Sequence, residues 1–254
     1  MKRYFVIYLY FLRINFVRLL AYRANFINSV IGSVGWGAFS ILVILLLTER
    51  TNTVFGWTRN ELLILSGCVN IFFGIFRSTF TGNFERFAMT VNQGRLDRVL
   101  LRPIDAQFTI CLTYANITGI FRVLLGTVFV IYMLIVSHTT VSIFDVVGFV
   151  LLLFVGIALL YAIWMMFITL TIWYSQLSNL TDFLVTLDST IRYPYAMYKE
   201  VSAFLLFIVF PFSLVVATPT ELLLHKVQIW EIVSLIVCAI VFFSIARLFW
   251  QYII

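Results

Sequence analysis

The chain has 254 residues, 63% of them apolar and 11% charged, where an ordinary soluble domain is about half apolar and about a quarter charged, so a soluble monomer is excluded. Lys and Arg outnumber Asp and Glu by 17 to 11. With so little polar surface, that excess reads as cytoplasmic anchoring of a membrane protein and not as nucleic-acid binding. A mean hydropathy of +1.06 supplies several crossings at about 20 apolar residues each, and six would leave short loops. The expected fold class is therefore all-α and polytopic.

Residues 1–23 open with Met1-Lys2-Arg3 and an apolar run, a secretion-signal pattern without a small-residue cleavage site, because Arg13, Asn15 and Arg18 follow directly. A crossing here would place two arginines in hydrocarbon at about 2.5–3.5 kcal/mol each. A cytoplasmic interfacial helix avoids that cost. Lys2, Arg13 and Arg23 share a third of the helical wheel, while Arg18 must snorkel.

Residues 24–254 read as a six-span domain. The first span covers 24–47 and carries Ser29, Ser33 and Gly37 at four-residue intervals, a small-residue stripe that suits a close helix interface within the chain or between subunits. The second runs from about 61 to 84 and enters the cytoplasm through Arg77, Arg86, Arg95, Arg98 and Arg102, the strongest cytoplasmic signal in the chain. The third lies within 108–136 and the fourth within 144–174, and the last covers about 229–252. Both termini are then expected on the cytoplasmic side of a plasma membrane. Between 175 and 228 two arrangements make the same net crossing. In one, 203–218 spans; in the other, the polar stretch 176–191 spans inside the bundle and 195–226 holds a segment re-entrant from outside, turning near Pro211.

No enzymatic constellation is present. His138 and His225 have no metal-ligand partners at helical spacing, no glycine-rich phosphate loop occurs, and Asp182 and Asp188 point in different directions on a helix. Neither a catalytic group nor a bound cofactor or metal is expected. Arg122 lies near the middle of its apolar stretch, where it is either a buried functional charge on a transport path, with Asp182 or Asp188 as natural partners, or a residue near the membrane edge that snorkels. The 27 Phe, 12 Tyr and 6 Trp read as lipid-facing bulk and interfacial belt.

The segment 85–103 is the most informative. Glu85 and Arg86 start a short helix that Gly94 should end as a C′ residue, and Arg95, Leu96, Asp97 and Arg98 form a basic turn stopping before Pro103. The order Gly94, Leu96, Asp97, Leu100, Pro103 after a second span resembles the cytoplasmic signature of type-2 ABC transporter permeases, the ABC-2 family. The resemblance implies that 85–103 is a coupling loop docking on separate ABC ATPase subunits, which would carry the ATP and Mg. It also implies a second permease, self or sister, as partner, a lipid environment, and export of an amphiphilic drug, lipid or peptide. The late Pro-rich segment resembles the family's outer re-entrant region and favours 176–191 as the fifth span. The rival class is a secondary transporter or channel without an ATPase, which would need polar residues concentrated at the midplane or an internal repeat.

Overall fold

The computed structural model describes residues 2–49, 53–54, 56–173, 180–192 and 203–253. Helices α1 (Lys2–Ala21) and α2 (Arg23–Leu47) are followed by a minimal hairpin pairing β1 (Thr53–Val54) with β2 (Trp57–Thr58). Helix α3 (Arg59–Phe76), a π-helical turn (Arg77–Thr81) and α4 (Gly82–Asn92) then run on as one rod of 34 residues. At about 1.5 Å per residue the rod is about 51 Å long, well beyond the ~30 Å hydrocarbon core. The remaining helices are α5 (Asp97–Leu100), α6 (Ala106–Leu112), α7 (Gly119–Val136), α8 (Ile143–Leu170), α9 (Leu180–Leu187) with a 3-10 turn (Asp188–Arg192), α10 (Ala203–Leu223) and α11 (Ile229–Ile253). Among the described residues, α1, α2, the rod, α7, α8 and α11 are each long and apolar enough to cross a bilayer. The protein is an all-α polytopic membrane protein.

One end of the bundle gathers the basic segments. Tyr4 of α1 packs edge-on against Phe108, Asn15 donates to the Thr113 carbonyl at 2.9 Å, and Arg18 lies over the Tyr114 ring. Three side-chain contacts, from Tyr4 to Arg18, thus tie α1 to residues 108–114 at this basic end, while most of the helix is exposed and qualifies as a span by composition. Arg86 stacks on the other side of the same contact region, 3.8 Å from the Tyr114 centroid, and Phe87 meets Trp250 near the end of α11.

The opposite end is built by a repeated device. Helices α3, α8 and α11 each start with an acidic residue in the first turn that accepts the backbone N–H just before the helix: Glu61 from Thr58, Asp145 from Ser142 and Glu231 from Gln228. Each carboxylate satisfies an orphan amide and faces the positive end of the helix dipole. Lys226 pairs with Glu61 at 2.7 Å and His225 lies 3.6 Å from Asp145, tying the α10–α11 loop to this far end.

Packing between α3 and α7 depends on four glycines. A Cβ on Gly67 would meet Val130 at 2.5 Å; on Gly74, the Val123 amide at 2.9 Å; on Gly119, the Gly74 carbonyl at 2.6 Å; and on Gly126, the Gly67 carbonyl at 2.8 Å. The two antiparallel backbones touch directly, as small residues allow where no hydrophobic drive brings helices together. A second close approach seats Gly156 of α8 on the Val215 carbonyl of α10. Between the two pairs runs a column of rings: Phe72, Phe76, Phe80 and Phe84 from the rod, interleaved with Tyr161 and Trp164 of α8 at centroid distances of 5.1–6.3 Å. Phe72, Phe76, Phe84 and Trp164 are fully buried. The reading of the aromatics as lipid-facing bulk is corrected for these: four-residue spacing stacks them on the rod's inner face.

The apolar stretch 108–136 holds the long helix α7 but is not helical throughout. It is broken at Thr113–Thr118, where Asn116 turns its side-chain oxygen to the Thr118 amide and hydroxyl, a local bond that competes with the helix. The break is pinned from outside by Asn83, which donates to the Tyr114 carbonyl at 2.7 Å and accepts its amide at 2.8 Å, and by the Asn116 amide donating to Ser78 in the π turn.

After α8 the chain climbs back into the bundle: Phe183 meets Phe167, buried Asp188 accepts from Trp164 Nε1 at 3.1 Å, and Arg192 lies over Trp36. Helix α10 runs unbroken through Pro211, so the turn expected there is not formed; from Phe210, which stacks on Trp230, it ascends antiparallel to α8 through Val215 at Gly156 to Leu222 at Gly148. Residues 176–179 and 193–202, which belong to the two arrangements for the fifth span, lie outside the described residues.

Candidate functional site

Two sites emerge, one at the basic end and one inside the bundle. At the basic end α4 closes with a Schellman motif: Gly94 takes φ +64°, its amide bonds to Val91 at 2.9 Å, and the Arg95 amide bonds to Thr90 at 3.0 Å. A Cβ at that φ is strained, so glycine sets where the rod stops. The chain turns through Arg95 and Leu96 into the single turn of α5, starting at Asp97, passes Pro103, and re-enters with Asp105 capping α6 through the Phe108 amide at 2.8 Å. Arg86, Arg95, Arg98 and Arg102 line one cavity of about 240 Å³ behind the loop. Glu85 and Asp97 are exposed. Apolar Met89 and Leu101 are exposed too, Leu101 at 85%. Of the loop residues singled out in the sequence, the arginines converge on the cavity, whereas Asp97 and its neighbour Leu101 face away from the bundle's core.

The second site centres on Arg122, which is 4% exposed although it sits one turn from the start of α7. Nearness to the helix end agrees with the snorkelling view, but the side chain turns inward. Its Nε donates to Asn70 Oδ1 at 2.9 Å, and fully buried Asn70 in turn donates to Ser66 O at 2.9 Å and Ser40 Oγ at 3.0 Å. This amide ties α2, α3 and α7 together. The expected pairing with Asp182 or Asp188 is not formed: Asp182 is exposed on α9 and Asp188 is held by Trp164. A neutral amide already on the neighbouring helix takes up Nε without bringing in a second charge, and Nη2 is left without a partner.

The small-residue stripe divides between two roles. Gly37 packs within the chain, where a Cβ would meet Asn70 Oδ1 at 3.0 Å, while Ser29 and Ser33 line a cavity of about 390 Å³ with Arg77 and Arg122. Sequence reading missed Asn70 and took Arg77 for a cytoplasmic arginine; the signal was available as an amide in the middle of the second span and an arginine four residues beyond Phe73.

A hydrogen bond to a charged group contributes about 1.5–3 kcal/mol. Asn70→Leu is therefore expected to destabilise the protein by about 2 kcal/mol, because it orphans Arg122 Nε in the core. Asn70→Leu with Arg122→Leu should recover more than half of the loss in thermal unfolding.

No carboxylate cluster able to hold a metal occurs among the described residues. What the residues do form is a bundle with a basic loop on a rod that outruns the membrane and a polar cavity between its first three spanning helices. No match is found among curated proteins, nor among solved structures. The family model described as ABC-2 family transporter protein matches residues 34–254, taking in the glycine seam, the loop with its cavity, and Arg77 and Arg122 of the second cavity, so the chain belongs to the ABC-2 family of transporter proteins.

Proposed function

We propose that the chain is the permease subunit of an ATP-driven exporter of an amphiphilic compound, working as a pair with itself or a sister permease and driven by two separate ABC ATPase subunits. The observation that carries this reading is the rod: it extends past the hydrocarbon and carries the 93–105 loop to a place where a peripheral subunit can push on it. ATP and Mg would reside on that subunit. Closure of the ATPase dimer would displace the loop, the rod would carry the displacement into the bundle, and a path between paired permeases would open. In this arrangement the basic end is cytoplasmic in the plasma membrane, 176–191 forms the fifth crossing and 195–226 holds a segment that enters the bundle from the outer side. Supporting that choice are the climb of 180–192 along α8 and the contact of Phe210 with Trp230 at the start of α11.

The test is purification of the tagged chain from native membranes after mild crosslinking. The expected result is stoichiometric recovery of a Walker-motif ATPase that hydrolyses ATP when reconstituted with it; repeated purification of the chain alone points to a secondary transporter or channel.

Orientation has its own prediction. Of the 17 basic residues, 11 lie near the N-terminus, from the π turn through the loop, or near the C-terminus: Lys2, Arg3, Arg13, Arg18, Arg23, Arg77, Arg86, Arg95, Arg98, Arg102 and Arg247. Reporters fused at the N-terminus, after Arg95 and at the C-terminus should all read cytoplasmic, and a cysteine replacing Lys226 should react with impermeant maleimide added outside the cell. An external reporter at any of the three refutes the orientation.

A further inference from the structure

We propose that the cavity between α2, α3 and α7 binds the oxyanionic head group, phosphate or carboxylate, of an amphiphile through the guanidinium groups of Arg77 and Arg122. Both groups lie over one ring, at 5.6 Å and 5.7 Å from the Phe73 centroid, and both line the cavity. Each has a buried nitrogen without a hydrogen-bond partner, Nε of Arg77 and Nη2 of Arg122. The charges that act on Arg122 from within the chain are those of Arg77 and Arg192, both positive. Glu85 and Asp188 feel the field of Arg77, but neither forms an ion pair with it among the described residues. Two like charges with unsatisfied donors inside a membrane bundle are costly unless something negative joins them.

The geometry selects the class of ligand. Guanidinium forks match the planar or tetrahedral oxygens of carboxylate and phosphate and give charge-assisted bonds. The hydroxyls of Ser29, Ser33 and Ser78 border the same space and can complete the shell. At about 390 Å³ the cavity falls in the size range of small-molecule pockets, about 300–1,000 Å³, which leaves room beyond the anion for an organic body beside Phe73 and Trp36. Trp36 is 49% exposed, so the cavity has an open side through which a chain could trail into lipid.

Calling this amphiphile the cargo rests on the permease reading; its binding does not, because no ATPase is needed. The test uses the purified full chain in neutral maltoside micelles, titrated with decyl phosphate, decyltrimethylammonium and inorganic phosphate while intrinsic tryptophan fluorescence is followed. Decyl phosphate should bind saturably, and at least tenfold more weakly in Arg77→Gln, in Arg122→Gln and in the cavity-filling Ser33→Trp. Arg59→Gln, an equal charge change at the far end, should bind as wild type does. If Arg122→Gln aggregates, Arg77→Gln decides on its own. The proposal is overturned if the ammonium amphiphile binds as well as the phosphate, if monodisperse Arg→Gln variants keep full affinity, or if inorganic phosphate binds as tightly as decyl phosphate. Loss of the ATPase partner with binding intact would sink the permease reading alone.

Discussion

Gly126→Leu is expected to abolish recovery of monodisperse protein, and Gly119→Leu to do the same. A Cβ at either position would stand 2.6–2.8 Å from a carbonyl oxygen of α3. The obstacle is backbone inside a helix, so no side chain can rotate away and the whole α3–α7 pair must separate. Overpacking a core typically costs about 1–3 kcal/mol when side chains can give, and a branched chain forced against two rigid backbones exceeds that. Even Gly126→Ala should lower the thermal midpoint by several degrees, on the scale of about 2 kcal/mol. The control lies on α2, where a Cβ on Gly32 or Gly35 meets nothing within 4 Å. Gly→Ala there should hold or raise stability by up to about 1 kcal/mol, since alanine loses less backbone entropy in a helix. Size-exclusion profiles and unfolding midpoints of the three alanine variants would decide the matter, and equal behaviour of Gly126→Ala and Gly32→Ala would mean that the seam is looser than described.

The second large effect falls on coupling. Gly94→Leu strains the only residue of the Schellman turn with positive φ, by about 1–2 kcal/mol, and either lengthens the rod or redirects the loop. Asp97→Ala removes an exposed carboxylate that touches no partner among the described residues, and Leu101→Glu places a charge on a side chain that is 85% exposed. None of these changes reaches the core, so membrane insertion and yield should match wild type. Yet each is expected to reduce ATPase copurification or transport at least tenfold if the loop is the docking surface. A juxtamembrane loop that serves topology alone predicts no change from Asp97→Ala, because acidic residues contribute little to orientation. Full transport and full ATPase association in all three variants would remove the basis for a coupling role.

Hydropathy was enough to read three of the long helices: 24–47, 144–174 and 229–252 correspond to α2, α8 and α11 within a few residues, because a helix that faces lipid or an apolar bundle core must be apolar over its whole length. Gly94 was legible as well, since a C′ glycine acts within its own turn. What a single chain pattern does not express is a relation between two helices. Gly67 and Gly74, like Gly119 and Gly126, are seven apart, and each pair alone is unremarkable; the seam exists only when they face one another. The same holds for Arg122, whose partner Asn70 sits on another span and carries no charge to advertise itself, and for the ring column, where spacing on the rod had to be matched with Tyr161 and Trp164 of α8. The break at Thr113–Thr118 depends on Asn83 and Asn15 reaching in from elsewhere, so hydropathy read straight through it.

The rod with its glycine seam also sets a gear ratio. Where α3 is gripped at Gly74 it has a fulcrum, provided that Ser78 and Asn83 carry the 114–116 segment with them, with Arg77 three residues beyond it and Asn92 eighteen beyond it. At about 1.5 Å per residue the arms are about 4.5 and 27 Å, a ratio of about six. A force at the loop that swings Asn92 sideways by about 6 Å thus shifts Arg77 by about 1 Å, and the force delivered there is multiplied by the same factor. One ångström is the margin between a made and a broken hydrogen bond. A large, soft excursion at the basic end is thereby converted into a small, stiff one at the cavity.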